Sequence, residues 1–161
     1  MIFAIIVFTI TTIIYNTCII AWAKRIPVSL SETSYILAGN GRSNLRYLFT
    51  LYCTIIAGCF FPCLLEILPS NYQFLSFLMC SGLLFSGFTP FFREDLEKTI
   101  HYTASITSFV TYIIFMFLMF KWWWILIYSI VVMGLIIWKK ECFVYFAEMC
   151  AFLFMILFII V

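Results

Sequence analysis

Residues 1–25 read MIFAIIVFTITTIIYNTCIIAWAKR, and this stretch decides the fold. From Ile2 to Ala23 no charge interrupts it, and it stops at the pair Lys24-Arg25. An apolar run of about 20 residues crosses a hydrocarbon core of about 30 Å as a helix. No basic residue precedes the run, and no small-residue cleavage motif leads from it into a mature domain. It is therefore expected to be a first membrane span rather than a removable signal peptide.

Outward from it, comparable runs follow at 46–67, 72–91, 99–120, 122–138 and 142–161. With 2–23 they predict six transmembrane helices in one domain, 1–161. Backbone N–H and C=O groups find no partner in lipid, so each crossing has to be helical. The expected fold is all-α, a polytopic membrane helix bundle.

Composition agrees. The chain has 161 residues, 66% hydrophobic and 10% charged, where a soluble domain carries about 25% charged residues. Its mean hydropathy is +1.16. Lipid bilayer is thus the expected surrounding. A net charge of +2 without a basic stripe sets nucleic acid aside. The preference for Ile, Phe, Tyr, Asn and Lys over Ala and Gly suggests an AT-rich bacterial or phage gene, hence a bacterial inner membrane. Seven cysteines (Cys18, Cys53, Cys59, Cys63, Cys80, Cys142, Cys150) lie in or at the ends of apolar runs. An odd, scattered set does not form a disulfide framework; small packing thiols are expected.

The gaps between runs give direction. Eight of the nine basic residues fall in alternate gaps: Lys24, Arg25, Arg42 and Arg46, then Arg93 and Lys98, then Lys139 and Lys140. Only Lys121 stands in the others. Positive loops stay cytoplasmic, which predicts both termini outside. Trp22, Trp138 and the run Trp122–Trp124 fall at span ends, where an amphipathic indole prefers to sit. In the one long loop, Ser29-Leu30-Ser31-Glu32 after Pro27 reads as a capping box. It predicts a short helix over about 30–38, lying along the inner surface and stopping at Gly39-Asn40-Gly41.

Polar residues inside spans are costly and mark functional candidates. Glu148 lies about 12 Å beyond Lys140 at 1.5 Å per residue. The same count from the other basic flanks reaches Asn16, Thr54, Ser86, His101 and Ser105. These six form the expected intramembrane site, with Glu148 bonded to Asn16 or His101. Ser31 and Glu32 form a second candidate in the cytoplasmic loop. The plainer reading covers most hydroxyls: Gly82 with Ser86, and Ala104 with Ser108, are small residues at four-residue spacing that let helices approach closely. Span 99–120, richest in Ser and Thr, is expected to be the most buried. Span 122–138 is apolar nearly all round and faces lipid, a membrane-protein partner or a second copy.

Three segments carry a resemblance: Ser29 to Tyr35, Gly82 to Pro90, and Glu97-Lys98-x2-His101-Tyr102. They resemble a family of small uncharacterised bacterial multi-pass inner-membrane proteins, which implies no particular activity. A more distant likeness is to multi-span hydrolases of the alkaline ceramidase and adiponectin-receptor type. That likeness implies a zinc held by three histidines, an aspartate and a serine. Here there is one histidine, His101, and the only aspartate, Asp95, lies in a loop, too few for a catalytic zinc. No metal, cofactor or catalytic residue is therefore expected. G-x-S-x-G, H-E-x-x-H and P-loop motifs are absent, and a Ser105–His101 or Ser31–His101 pair is a weak signal. Three functions remain open: a site that binds or passes a proton, ion or small solute; a non-catalytic accessory or immunity-type membrane protein; and a membrane hydrolase.

Overall fold

The computed structural model describes residues 1–39, 43–119, 122–138 and 140–160. Among them stand seven α-helices and no strand: α1 (Ile2–Ala23), α2 (Glu32–Ala38), α3 (Tyr47–Ile67), α4 (Gln73–Gly87), α5 (Asp95–Met119), α6 (Trp122–Trp138) and α7 (Phe143–Ile160). Short 3-10 turns, Ser43–Arg46 and Ser70–Tyr72, lead into α3 and α4. Every expected apolar run contains one helix. Three are long and apolar enough to cross a membrane: Ile2–Ala23, Asn44–Ile67 and Asp95–Met119. The 15 residues of α4 extend about 22 Å. This helix stops at Gly87 rather than 91 because Pro90 disfavours helical backbone before it. α5 starts at Asp95, ahead of the expected 99. Its acidic first turn suits a helix N-terminus, and Glu97 Oε2 accepts the Phe91 N–H at 2.7 Å.

Close packing centres on α4, which lies between α3 and α5. A Cβ on Gly82 would stand 2.7 Å from the Ala104 carbonyl oxygen and 2.9 Å from Ser108 Cβ. A Cβ on Gly87 would stand 2.5 Å from Cys53 Cβ. Hydroxyls tie the same seams. Ser108 Oγ donates to the Met79 carbonyl at 2.9 Å and Thr50 Oγ1 to the Gly87 carbonyl at 2.7 Å. α1 leans on α3, with Phe8 against Phe60 and Tyr15 stacked on Tyr52 at 4.3 Å. α6 pairs with α7 and meets α5 more sparsely.

Of the three long helices the most buried is α3, not the Ser/Thr-rich α5. Within the membrane windows, 44% of Asn44–Ile67 is buried, against 28% for Asp95–Met119. Thr103 and Thr107 of α5 are exposed. Hydroxyl content is a poor guide here because a helical hydroxyl can bond its own preceding turn, as Thr99 does to the Asp95 carbonyl.

The long loop folds back onto the end of the bundle. Lys24 ends α1 in a left-handed conformation (φ 54°), its N–H reaching the Ile20 carbonyl at 2.9 Å. The chain then crosses to α7, where the Tyr145 N–H donates to the Val28 carbonyl at 3.0 Å. The α2 segment packs one face, Leu30, Thr33, Ser34 and Leu37, onto the bundle. Thr33 and Ser34 are fully buried, and Leu30 and Leu37 nearly so. Tyr15 Oη meets Thr33 Oγ1, and Ser34 Oγ reaches the Pro90 carbonyl at 3.3 Å. The capping box is half formed. Ser29 Oγ accepts the Glu32 N–H at 3.2 Å, but Glu32 Oε2 turns to the Val28 N–H at 2.6 Å. Ser29 to Ser31 form the turn, so α2 begins at Glu32 instead of 30. Gly39 ends it. Asn40 and Gly41 of the expected stop signal, with Arg42, Lys121 and Lys139, lie outside the described residues, as do the side chains of Trp122–Trp124.

Candidate functional site

One elongated cavity of about 400 Å³ lies among α3, α4, α5 and α7. Its position follows from the packing just described. Small residues pull α4 tight against α3 and α5, while α7 is held mainly by α6 and by the folded-back loop. The space left over is the cavity, and the Leu30–Ser31 turn covers one end of it.

Polar groups gather at that end. Ser31, Ser86, His101, Ser105 and Glu148 all line it. They come from four separate segments, so five of the eight candidate residues share one space. Glu148 Oε2 accepts the Leu30 N–H at 2.7 Å. Its bond therefore goes to the loop backbone, not to Asn16 or His101, because the loop brings an unpaired N–H into the bundle. No hydrogen bond from the described residues reaches Oε1. Ser86 Oγ and Ser105 Oγ are 2.8 Å apart.

His101 is buried, and its Nδ1 lies 3.0 Å from the Ser86 carbonyl oxygen. A carbonyl only accepts, so Nδ1 carries a proton and donates it there. Thr89 Oγ1, also 3.0 Å from Nδ1, and Phe92, stacked at 4.5 Å, fix the ring. This arrangement does not activate a serine. Ser86 Oγ is 3.4 Å from the nitrogen that is already donating, and Ser105 bonds Ser86. A nucleophilic Ser–His pair needs an accepting nitrogen in reach of the hydroxyl.

The remaining candidates stand elsewhere. Asn16 Oδ1 accepts from Tyr145 Oη at 2.6 Å, and Asn16 Nδ2 donates to the Thr12 carbonyl at 2.8 Å. Asn16 thereby joins α1 to α7. Thr54 is exposed and bonds back to the Thr50 carbonyl at 2.8 Å. Glu32 pairs with Arg25 at 2.8 Å outside the cavity. Burial pushes the Glu32 carboxyl up, but the Arg25 guanidinium and the Val28 N–H outweigh it and hold the carboxyl below its usual range.

Beyond the polar end the walls are apolar, including Phe60, Met79, Phe152 and Met155. Two tyrosines outside the expected six-residue site also line the cavity, and neither buried hydroxyl, Tyr52 Oη or Tyr112 Oη, has a hydrogen-bond partner among the described residues. A buried unpaired hydroxyl costs about 1–3 kcal/mol. Tyr52 Oη sits beside Thr12, whose Oγ1 is equally unpaired, so a small side-chain rotation satisfies both. Tyr112 has no such neighbour. Its place in the sequence is on one helical stripe of α5 with His101, Ser105 and Ser108. The cavity also holds two free thiols, Cys53 and Cys80. No Lys or Arg among the described residues lines it. Nor does any group of three or more His, Cys, Asp or Glu among the described residues stand close enough together for a metal ion.

Comparison with family models, with curated proteins and with solved structures gives no match for this chain.

Proposed function

We propose that the chain is a six-span bacterial inner-membrane protein, both termini outside, that binds a small solute in the cavity among α3, α4, α5 and α7. The observation that carries this is the convergence of Ser31, Ser86, His101, Ser105 and Glu148 on one space of about 400 Å³. Ligand sites are typically apolar concavities of about 300–1,000 Å³ with a few placed polar groups. Glu148 is the carboxyl anchor, and the Leu30 N–H holds it in place. The charge pattern of the loops supports the orientation. The six crossings are supported by three long helices and by apolar α6 and α7, with the Ser70–Tyr72 turn lengthening α4.

Native thiols provide the test. In protein reconstituted into lipid, small uncharged methyl methanethiosulfonate is expected to modify Cys53 and Cys80 as well as exposed Cys18, read by peptide mass spectrometry. If Cys18 alone reacts, no solute reaches the cavity and the reading fails.

A second reading rests on α6. Ile130, Met133 and Ile137 are 70%, 58% and 82% exposed. Lipid alone satisfies such a surface, and so would a membrane-protein partner or a second copy. A partner-free monomer in mild detergent would leave lipid as its only neighbour.

A further inference from the structure

We infer that the occupant of the cavity is a single-chain amphiphile with a primary amine head, entering sideways from the lipid between α5 and α7. The inference rests on the cavity being a ligand site and adds what that ligand is. Three observations support it.

The first is the polarity gradient. Ser86, His101 and Glu148 sit near the ends of their helices that face the α2 segment, with Ser31 beside them, while Met79, Phe109 and Met155 lie further along the same helices. From His101 to Tyr112, and from Phe49 to Phe60, the walls extend about 16 Å at 1.5 Å per residue. A polar head with a linear apolar tail matches this shape; a compact hydrophilic solute would leave the apolar length empty and dry.

The second is the sign of the hydrogen-bonding groups. Glu148 Oε1 takes no bond from the described residues, and no Lys or Arg among them lines the cavity. The one backbone donor here, the Leu30 N–H, is already used by Glu148. The polar end thus offers a carboxyl oxygen without a donor and no cation, beside the Ser31, Ser86 and Ser105 hydroxyls, which accept as well as donate. An ammonium has three donors and no acceptor, and an anionic head would meet Glu148 unscreened.

The third is the wall itself. Ile106 and Phe109 line the cavity yet are 61% and 50% exposed. This side of α5 is open to the surroundings, and α7 does not seal it. An amphiphile already dissolved in the bilayer needs no aqueous route.

The test uses the full-length protein in phosphatidylcholine nanodiscs, with dodecylamine, dodecanol, dodecanoate and butylamine as probes. The readout is the rate at which methyl methanethiosulfonate modifies Cys80, with Cys18 as the control outside the cavity. Dodecylamine is expected to slow Cys80 by at least about tenfold relative to dodecanoate, the factor a charge-assisted hydrogen bond supplies, with Cys18 unchanged. In Glu148→Gln, which keeps an acceptor for the Leu30 N–H, the advantage of dodecylamine over dodecanol should vanish. Equal protection by dodecanoate overturns the amine head, and the wild-type comparison needs no variant. Equal protection by butylamine overturns the tail and leaves a small-solute site. Failure of Cys80 to react without any probe removes the ligand site itself.

Discussion

Tyr145 Oη and Asn16 Oδ1, 2.6 Å apart and buried, tie α7 to α1. Tyr145→Phe leaves an amide oxygen without its donor. We expect a loss of about 1–2 kcal/mol, the range for hydrogen bonds between membrane helices, seen as a lower Tm in detergent. Combining it with Asn16→Ala should cost less than the two single changes added. The Glu32–Arg25 pair gives a pH signature. Glu32 is held below its usual range when folded, so its contribution is complete above the ordinary carboxylate value of about 4.3. It is lost as the pH falls through the lower folded value. The Tm difference between wild type and Glu32→Gln should therefore be present at neutral pH and close in acid. A difference that persists in strong acid would rule out a charge effect. At this scale the sequence reveals depth but not direction. Counting from basic flanks places Thr54 level with Glu148. Yet Thr54 faces outward, because its hydroxyl is satisfied by its own helix and needs no partner inside.

Two glycines set the spacing of α4. Gly87→Ala would drive a Cβ to 2.5 Å from Cys53 Cβ, and neither helix can retreat without losing the Thr50–Gly87 bond. The expected cost is about 1–3 kcal/mol by thermal unfolding. Gly58 in α3 is the contrast, with nothing within 4 Å of a new Cβ. Gly58→Ala should gain about 0.5–1 kcal/mol from helix propensity. If both variants behave alike, the close contact of α3 and α4 is not the cause. The helices were legible because a long apolar run has one way to satisfy its backbone in lipid. Their edges moved where local chemistry intervened, at Pro90 and at the acidic turn of α5. Which helix is central was not legible, since Leu or Phe serves equally against lipid or protein. The small Gly82–Ala104–Ser108 contact is the kind of seam that sequence spacing does reveal.

At the scale of the molecule, alternation of loop charge and the number of crossings are one question. In a cysteine-free background, Ser70→Cys should react with an impermeant maleimide from outside and Glu94→Cys only from inside. Both reacting from one side would mean that α4 does not cross, as its 15-residue length makes conceivable. The cavity as a whole was only partly readable. Depth brought Ser86, His101, Ser105 and Glu148 together on paper, but the loop that covers them has no periodicity announcing that it folds inward. That loop has a consequence in time. Leu30 and Glu148 are 118 residues apart, and at about 5–20 residues per second the first loop waits roughly 6–24 s for its partner to be made. Until α7 arrives, residues 26–38 have nothing to dock against at that side of the bundle. A nascent chain arrested before Phe143 should be nicked by protease within that segment, and the finished chain should resist. A helix made late, α7, thus seals a loop made early.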